Sequence, residues 1–180
     1  VTNLAITVVS EIAKSLNGEN ISRLSIETGA IDAHTQPAVA EFGTVFRKFK
    51  GLQEFRFNCK FGYSGYFDEM MGYFPPLPAF ENFMESMGTS LAEFKYLQVL
   101  DVSLHVEVPS KRKGFANMFN SLKKLERLRI LNLRHNHTFS PGTIGLPEFK
   151  TLIHENISDL KNLTVISINS FDEPNETKQK

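Results

Sequence analysis

Hydrophobic positions along the chain fall into one short motif that occurs five times: apolar, two free positions, apolar, one free position, apolar. It is met at Ile21, Leu24 and Ile26, then at Leu52, Phe55 and Phe57, and at Leu97, Leu100 and Val102. Leu128, Leu131 and Leu133 carry it again, as do Leu163, Ile166 and Ile168. The second half of each motif alternates apolar with polar, the period of a strand that buries one face and opens the other. The motifs start 31, 45, 31 and 35 residues apart.

The stretch before each of the last four motifs changes period. Ala38 to Lys50 carries Val39, Phe42, Val45, Phe46 and Phe49; Phe80 to Tyr96 carries Phe83, Met84, Met87, Leu91 and Phe94. Phe115 to Arg127 carries Met118, Phe119, Leu122 and Leu125; Phe149 to Leu160 carries Leu152, Ile153, Ile157 and Leu160. Three-to-four spacing predicts a one-sided helix in each. The junction recurs too: Phe49, Phe94, Leu125 and Leu160 each stand three residues before the leucine that opens the next motif. That spacing would put the end of a helix and the start of a strand into one core layer. A helix from Val8 to Leu16 would complete a truncated first unit.

Leu128 to Asn136 fits the pattern L-x-x-L-x-L-x-x-N throughout. Over residues 15 to 170 the chain resembles leucine-rich-repeat proteins of the ribonuclease-inhibitor-like type, whose repeats are long and contain a helix. The resemblance implies an α/β fold: a leucine-rich-repeat horseshoe, a βα solenoid with a parallel concave sheet and outer helices. Right-handed crossovers and nearest-neighbour stacking favour the same arrangement. About five βα units would make one domain over residues 1–171, with a long insertion at 61–80. The consensus asparagine is kept only at Asn136; Gly29, Lys60, His105 and Phe171 take its place elsewhere. The family's asparagine ladder is therefore largely missing, and the curvature should be irregular. A doubly wound α/β domain built from the same units is the alternative. The polar tail, 172–180, carries Pro174 and no apolar face, and is expected to be disordered.

Composition narrows the function. Twenty basic and 20 acidic residues leave no net charge, hence no field for steering onto nucleic acid. No apolar run reaches the ~20 residues of a membrane span. A single cysteine, Cys59, leans slightly towards a reducing, intracellular compartment. Five N-x-S/T sequons, at Asn20, Asn136, Asn156, Asn162 and Asn175, stand against it. The first residue is Val and no signal-peptide pattern follows, which leaves room for the chain to be a segment of a longer protein.

The chain has no G-x-G-x-x-G, Walker loop, paired C-x-x-C or H-E-x-x-H, and Gly62 to Gly65 falls short of a nucleophile elbow. His135 and His137 would share one side of a strand, but no third metal ligand is evident nearby. Cys59 reads as a small packed side chain. No enzyme activity, metal or cofactor is expected.

The partner is expected to be another protein. Residues between the strand's apolar positions should point out from the sheet in three columns. The central column is Ser25, Arg56, Asp101, Asn132 and Ser167; beside it run Glu27, Asn58, Ser103, Arg134 and Asn169. The third, Arg23, Glu54, Val99, Ile130 and Val165, turns apolar towards its end. Mixed charge with a small aliphatic strip suits a protein surface better than nucleic acid. Some of these charges, such as Glu27, Glu54 and Arg56, could equally pair with one another across strands.

A second candidate is the insertion, where Tyr63, Tyr66, Phe67, Tyr73 and Phe74 sit among glycines and prolines. They have the chemistry of interface anchors, or they fold back over the edge of the core. Lys111, Arg112 and Lys113 read as a solvated basic cluster. The expectation is a recognition, adaptor or scaffold module; the alternative is a structural segment of a larger multi-subunit assembly or of a longer receptor chain.

Overall fold

Each of the five motifs lays down a strand, and the strands follow one another across one sheet in chain order. The computed structural model describes residues 6–31, 41–42, 44–61, 78–106, 112–137, 146–170 and 177–179. β1 (Arg23–Ile31), β2 (Glu54–Phe61), β3 (Val99–Val106), β4 (Ile130–His137) and β5 (Val165–Ser170) are neighbours in that order. All four of these pairings are parallel. The order has no reversal, unlike a doubly wound sheet. The expected α/β class with a parallel sheet is therefore what the chain forms.

Helices alternate with the strands: α1 (Ile6–Ser15), a 3-10 turn (Gly18–Asn20), helical residues 41–42 and 44–46, α2 (Pro78–Leu91), α3 (Arg112–Leu122) and α4 (Leu146–Ile157). Pro78 opens α2 at a position whose N–H has no helical acceptor, so the ring costs nothing there. α2, α3 and α4 each end three residues before the last apolar position of their stretch, Phe94, Leu125 and Leu160. The last apolar residue instead enters the junction and stays buried.

Those junctions share one hydrogen-bond pattern. Leu52, Leu97, Leu128 and Leu163 donate their N–H groups to the carbonyls of Phe49, Phe94, Leu125 and Leu160, at 3.1, 3.0, 3.0 and 3.3 Å. The next turn then ties each unit to the one before. The Ser22 carbonyl accepts from Gln53 N at 2.7 Å and Glu54 N at 3.0 Å. Gln53 O does the same for Gln98 and Val99, Gln98 O for Arg129 and Ile130, and Arg129 O for Thr164 and Val165. The chain meets the sheet with the same geometry each time, which is why the apolar spacing across the junction is fixed.

The core lies between the helices and one face of the sheet. Phe55, Leu100 and Leu131 form one buried row, and Phe57, Val102 and Leu133 the next. Seven phenylalanines from the second and third units interlock. Phe57 lies 5.3 Å from Phe83 and 5.4 Å from Phe42, and Phe55 lies 6.0 Å from Phe94 and 5.7 Å from Phe46. Phe49 completes the group, 5.5 Å from Phe46. α2 and α3 approach closely at Gly88, where a Cβ would come within 3.0 Å of Ser121 Oγ and 3.1 Å of the Asn117 carbonyl. Two polar residues buried in helices bond one turn back: Ser90 Oγ donates to Ser86 O at 3.0 Å and Asn156 Nδ2 to Leu152 O at 2.7 Å. Two buried hydroxyls, Ser10 Oγ and Thr28 Oγ1, have no hydrogen-bond partner among the described residues. Thr28 sits where β1 bulges, with Thr28 and Gly29 set against Cys59 alone.

Of the tail expected to be disordered, residues 177–179 alone are described: Thr177–Gln179 forms β6, antiparallel to β5, with Ser167 opposite Thr177 and Val165 opposite Gln179. A sheet edge offers unpaired backbone groups to any extended segment, and ladder bonding asks for no apolar side chain. Asn156 of the third sequon is buried and bonded to its own helix, so a glycan there is incompatible with this packing. No helix among the described residues is long and apolar enough to cross a membrane.

Candidate interaction surface

Strand alternation sends every second side chain to the face of the sheet that the helices do not cover. The parallel register stacks these side chains into rows. Arg23, Glu54, Val99, Ile130 and Val165 are successive partners across the five strands. So are Ser25, Arg56, Asp101, Asn132 and Ser167, and likewise Glu27, Asn58, Ser103, Arg134 and Asn169. The three columns expected from the sequence are therefore brought together, Asn169 by its backbone position. Arg23, Ser25, Glu27, Arg56 and Arg134 are exposed, and Glu54, Asn58, Asp101 and Asn132 are half-buried. Ser103 is buried in their midst.

The charges on this face are largely matched. Glu54 sits between two guanidinium groups, with Arg56 Nε 2.7 Å from Oε1 and Arg23 Nε 3.6 Å from Oε2. Arg134 Nη2 lies 3.7 Å from Asp101 Oδ2, and Asn58 Nδ2 donates to Glu27 Oε1 at 3.5 Å. Cross-strand ion pairing occurs at Arg23 with Glu54 and at Arg134 with Asp101, whereas Arg56 pairs with Glu54 within β2. Exposed pairs of this kind contribute about 0 to 1 kcal/mol each, so they leave the face adaptable. An open depression of about 260 Å³ lies here, lined by residues that include Ser25, Glu27, Arg56, Asn58, Asp101 and Arg134. Val99, Ile130 and Val165 form a half-buried aliphatic strip along one border.

The aromatic loop anchors Tyr63, Tyr66, Phe67, Tyr73 and Phe74 lie outside the described residues, as does Lys111. His135 pairs by backbone with Leu104 and Ser170, in the row of Cys59. Among the described residues no group of three His, Cys, Asp or Glu could hold a metal ion. Cys59 is a free thiol within the core, as its spacing suggests, and burial pushes its pKa well above the usual thiol range.

The sequence reading missed a second hollow, of about 500 Å³, at the start of β3 to β5, where Gln98, Arg127, Arg129, Lys161, Asn162 and Thr164 converge. Arg127, Lys161 and Asn162 lie in the two residues before a motif leucine, and Gln98, Arg129 and Thr164 directly follow one. Aligning junctions, not only strands, would have found it. In comparison with known sequences the chain matches no family model and no curated protein, so its role is to be argued from this geometry.

Proposed function

We propose that the protein is a leucine-rich-repeat interaction module, a horseshoe-shaped βα solenoid that recognises another protein through the concave face of its sheet. The observation that carries this reading is the set of three in-register columns of mixed charge. Such a surface repeats its backbone geometry every strand while varying its side chains, and so offers many contact patterns on one rigid floor. Paired, half-exposed charges beside a narrow aliphatic strip supply both the polar and the apolar contacts that protein interfaces combine. The aromatic loop of residues 61–80 belongs to the same proposal as a source of anchors. Recognition, adaptor and scaffold roles all use this chemistry, and none needs a cofactor.

The test is affinity capture with the wild-type chain and with Arg56→Glu, Asp101→Lys and Arg134→Glu combined, each verified as folded by circular dichroism. Glu85→Lys on α2 serves as a charge-reversal control away from the sheet face. Partners held by wild type and by the control should be lost from the triple variant. A partner set that survives the triple change would remove the sheet face from the proposal.

One observation favours a second reading, a structural segment of a larger assembly. Val8 and Ile12 on α1 and Leu16 just beyond its end are 43, 38 and 37% exposed, an apolar stripe that a neighbouring subunit would cover. Sedimentation separates the two: a monodisperse, cooperatively unfolding monomer speaks for the module, and association through α1 that Ile12→Glu abolishes speaks for the assembly.

A further inference from the structure

We infer that the rim where β3, β4 and β5 begin is a second recognition site, one that takes a short acidic peptide segment of a partner protein. The hollow there gathers Arg127, Arg129 and Lys161 with the neutral side chains of Gln98, Asn162 and Thr164, and among the described residues no carboxylate lines it. Among the described residues none of the three cations is in an ion pair. The sheet face is the opposite case, since Arg23, Arg56 and Arg134 each have a carboxylate within 4 Å. In a chain with equal numbers of acidic and basic residues, three converging cations with no counter-charge repel one another. An arriving anion relieves that repulsion.

The Arg127 side chain is held in place, and the backbone that carries the other cations is tied down. The Arg127 guanidinium lies over the Tyr96 ring, 4.8 Å from its centroid, which fixes its plane and leaves its N–H groups free at the edge. Asn162 Nδ2 donates to the Glu126 carbonyl at 2.6 Å and Thr164 Oγ1 to the Arg129 carbonyl at 3.0 Å. These bonds lock consecutive junctions together under the site. Arg129 N and Thr164 N are themselves tied to the preceding strands at 2.9 and 2.8 Å. Binding therefore costs little ordering of the protein.

The chemistry points to carboxylates on a peptide and away from nucleic acid. The Tyr96 ring has one face taken by the Arg127 guanidinium, which narrows the room for a base to stack on it. In sequence Glu126 and Asp159, both exposed, stand in the same junctions as these cations, so the basic residues make a short local cluster and not a continuous basic track. The hollow is open, walled by exposed side chains, and spans three junctions, which suits an extended segment with two or more acidic residues. This surface is distinct from the sheet face, so it stands or falls independently of the function proposed above.

The experiment is fluorescence anisotropy with a labelled hexaglutamate peptide at low and at physiological salt. A hexaserine peptide and a single-stranded oligothymidylate of six phosphates serve as comparators. Saturable, salt-sensitive binding of hexaglutamate alone is expected. It should weaken by at least about tenfold in Arg129→Glu with Lys161→Glu, the loss expected when charge-assisted bonds are removed, and stay unchanged in Arg47→Glu, an exposed residue outside both proposed surfaces. Should the double reversal not fold, Arg129→Gln with Lys161→Gln removes the same charges without adding new ones. Absence of saturable binding, equal binding by the rim variants, or tighter binding of the oligonucleotide than of hexaglutamate would each overturn the inference.

Discussion

Phe57 and Arg56 are adjacent in sequence and on opposite faces of β2, so truncating each in turn tests the face assignment on which the proposed sheet-face site depends. Phe57 is 1% exposed, its ring within 5.3 to 6.2 Å of three other phenylalanines. A buried Phe→Ala change costs about 3–5 kcal/mol. Ring pairs at these distances add about 0.5–1.5 kcal/mol beyond their area, which places Phe57→Ala in the upper half, at about 4–5 kcal/mol. The Arg56 side chain is 57% exposed and its one ion pair, with Glu54, is solvent-screened, so Arg56→Ala should cost less than about 1 kcal/mol. In urea unfolding followed by far-UV circular dichroism, with a slope of roughly 2 kcal/mol per molar, the two midpoints should differ by about 2 M. Phe57→Leu, which keeps most of the volume, should lose no more than about 1.5 kcal/mol. Equal losses at positions 56 and 57, or a larger loss at 56, would refute the assignment of faces and with it both columns and core.

Thr28 buries a hydroxyl without a partner, so Thr28→Val, nearly the same shape, should stabilise the protein by about 1 kcal/mol or more; a lower unfolding midpoint would show that the hydroxyl is bonded after all. Cys59 stays protonated in the fold because burial raises its pKa, whereas the unfolded thiol ionises near its ordinary value. Above that value the unfolded state has lost a proton that the folded state keeps, so stability falls as pH rises through the alkaline range. Cys59→Ala should flatten that decline, and the native thiol should react with a disulfide reagent only at the unfolding rate; rapid stoichiometric labelling of folded protein would contradict its burial.

The strands were legible because each motif repeats a period that only a half-buried strand satisfies, and because a parallel register leaves no freedom once the junction is fixed. Leu52, Leu97, Leu128 and Leu163 announced that junction in the sequence, and the recurring bonds at their N–H groups are its cause. The columns followed from the alternation alone. What could not be read was which charges pair. Arg23 and Arg56 converge on one carboxylate, Glu54, and that depends on rotamers and on lateral spacing, neither of which the residue pattern encodes. β6 escaped for a related reason: backbone pairing at a sheet edge leaves no hydrophobic signature. The basic rim was hidden because its residues come from three separate junctions, where each looks like an ordinary solvated turn.

The two surfaces differ in what an incoming partner must displace. On the sheet face a ligand has to break pairs such as Arg56 with Glu54 and Arg134 with Asp101 before it can use either charge, so the gain from a new ionic contact is offset by the old one. Affinity there has to come from the aliphatic strip of Val99, Ile130 and Val165, with the charges selecting register more than supplying energy. At the rim nothing is displaced. Arg127, Arg129 and Lys161 have no carboxylate to give up among the described residues, and their field reaches outward over about a Debye length, roughly 8–10 Å at physiological salt. On the proposed reading, an acidic segment is therefore captured first at the strand starts. The slower fit against the sheet follows, so salt should slow association at the rim while leaving the dissociation from the sheet face nearly unchanged.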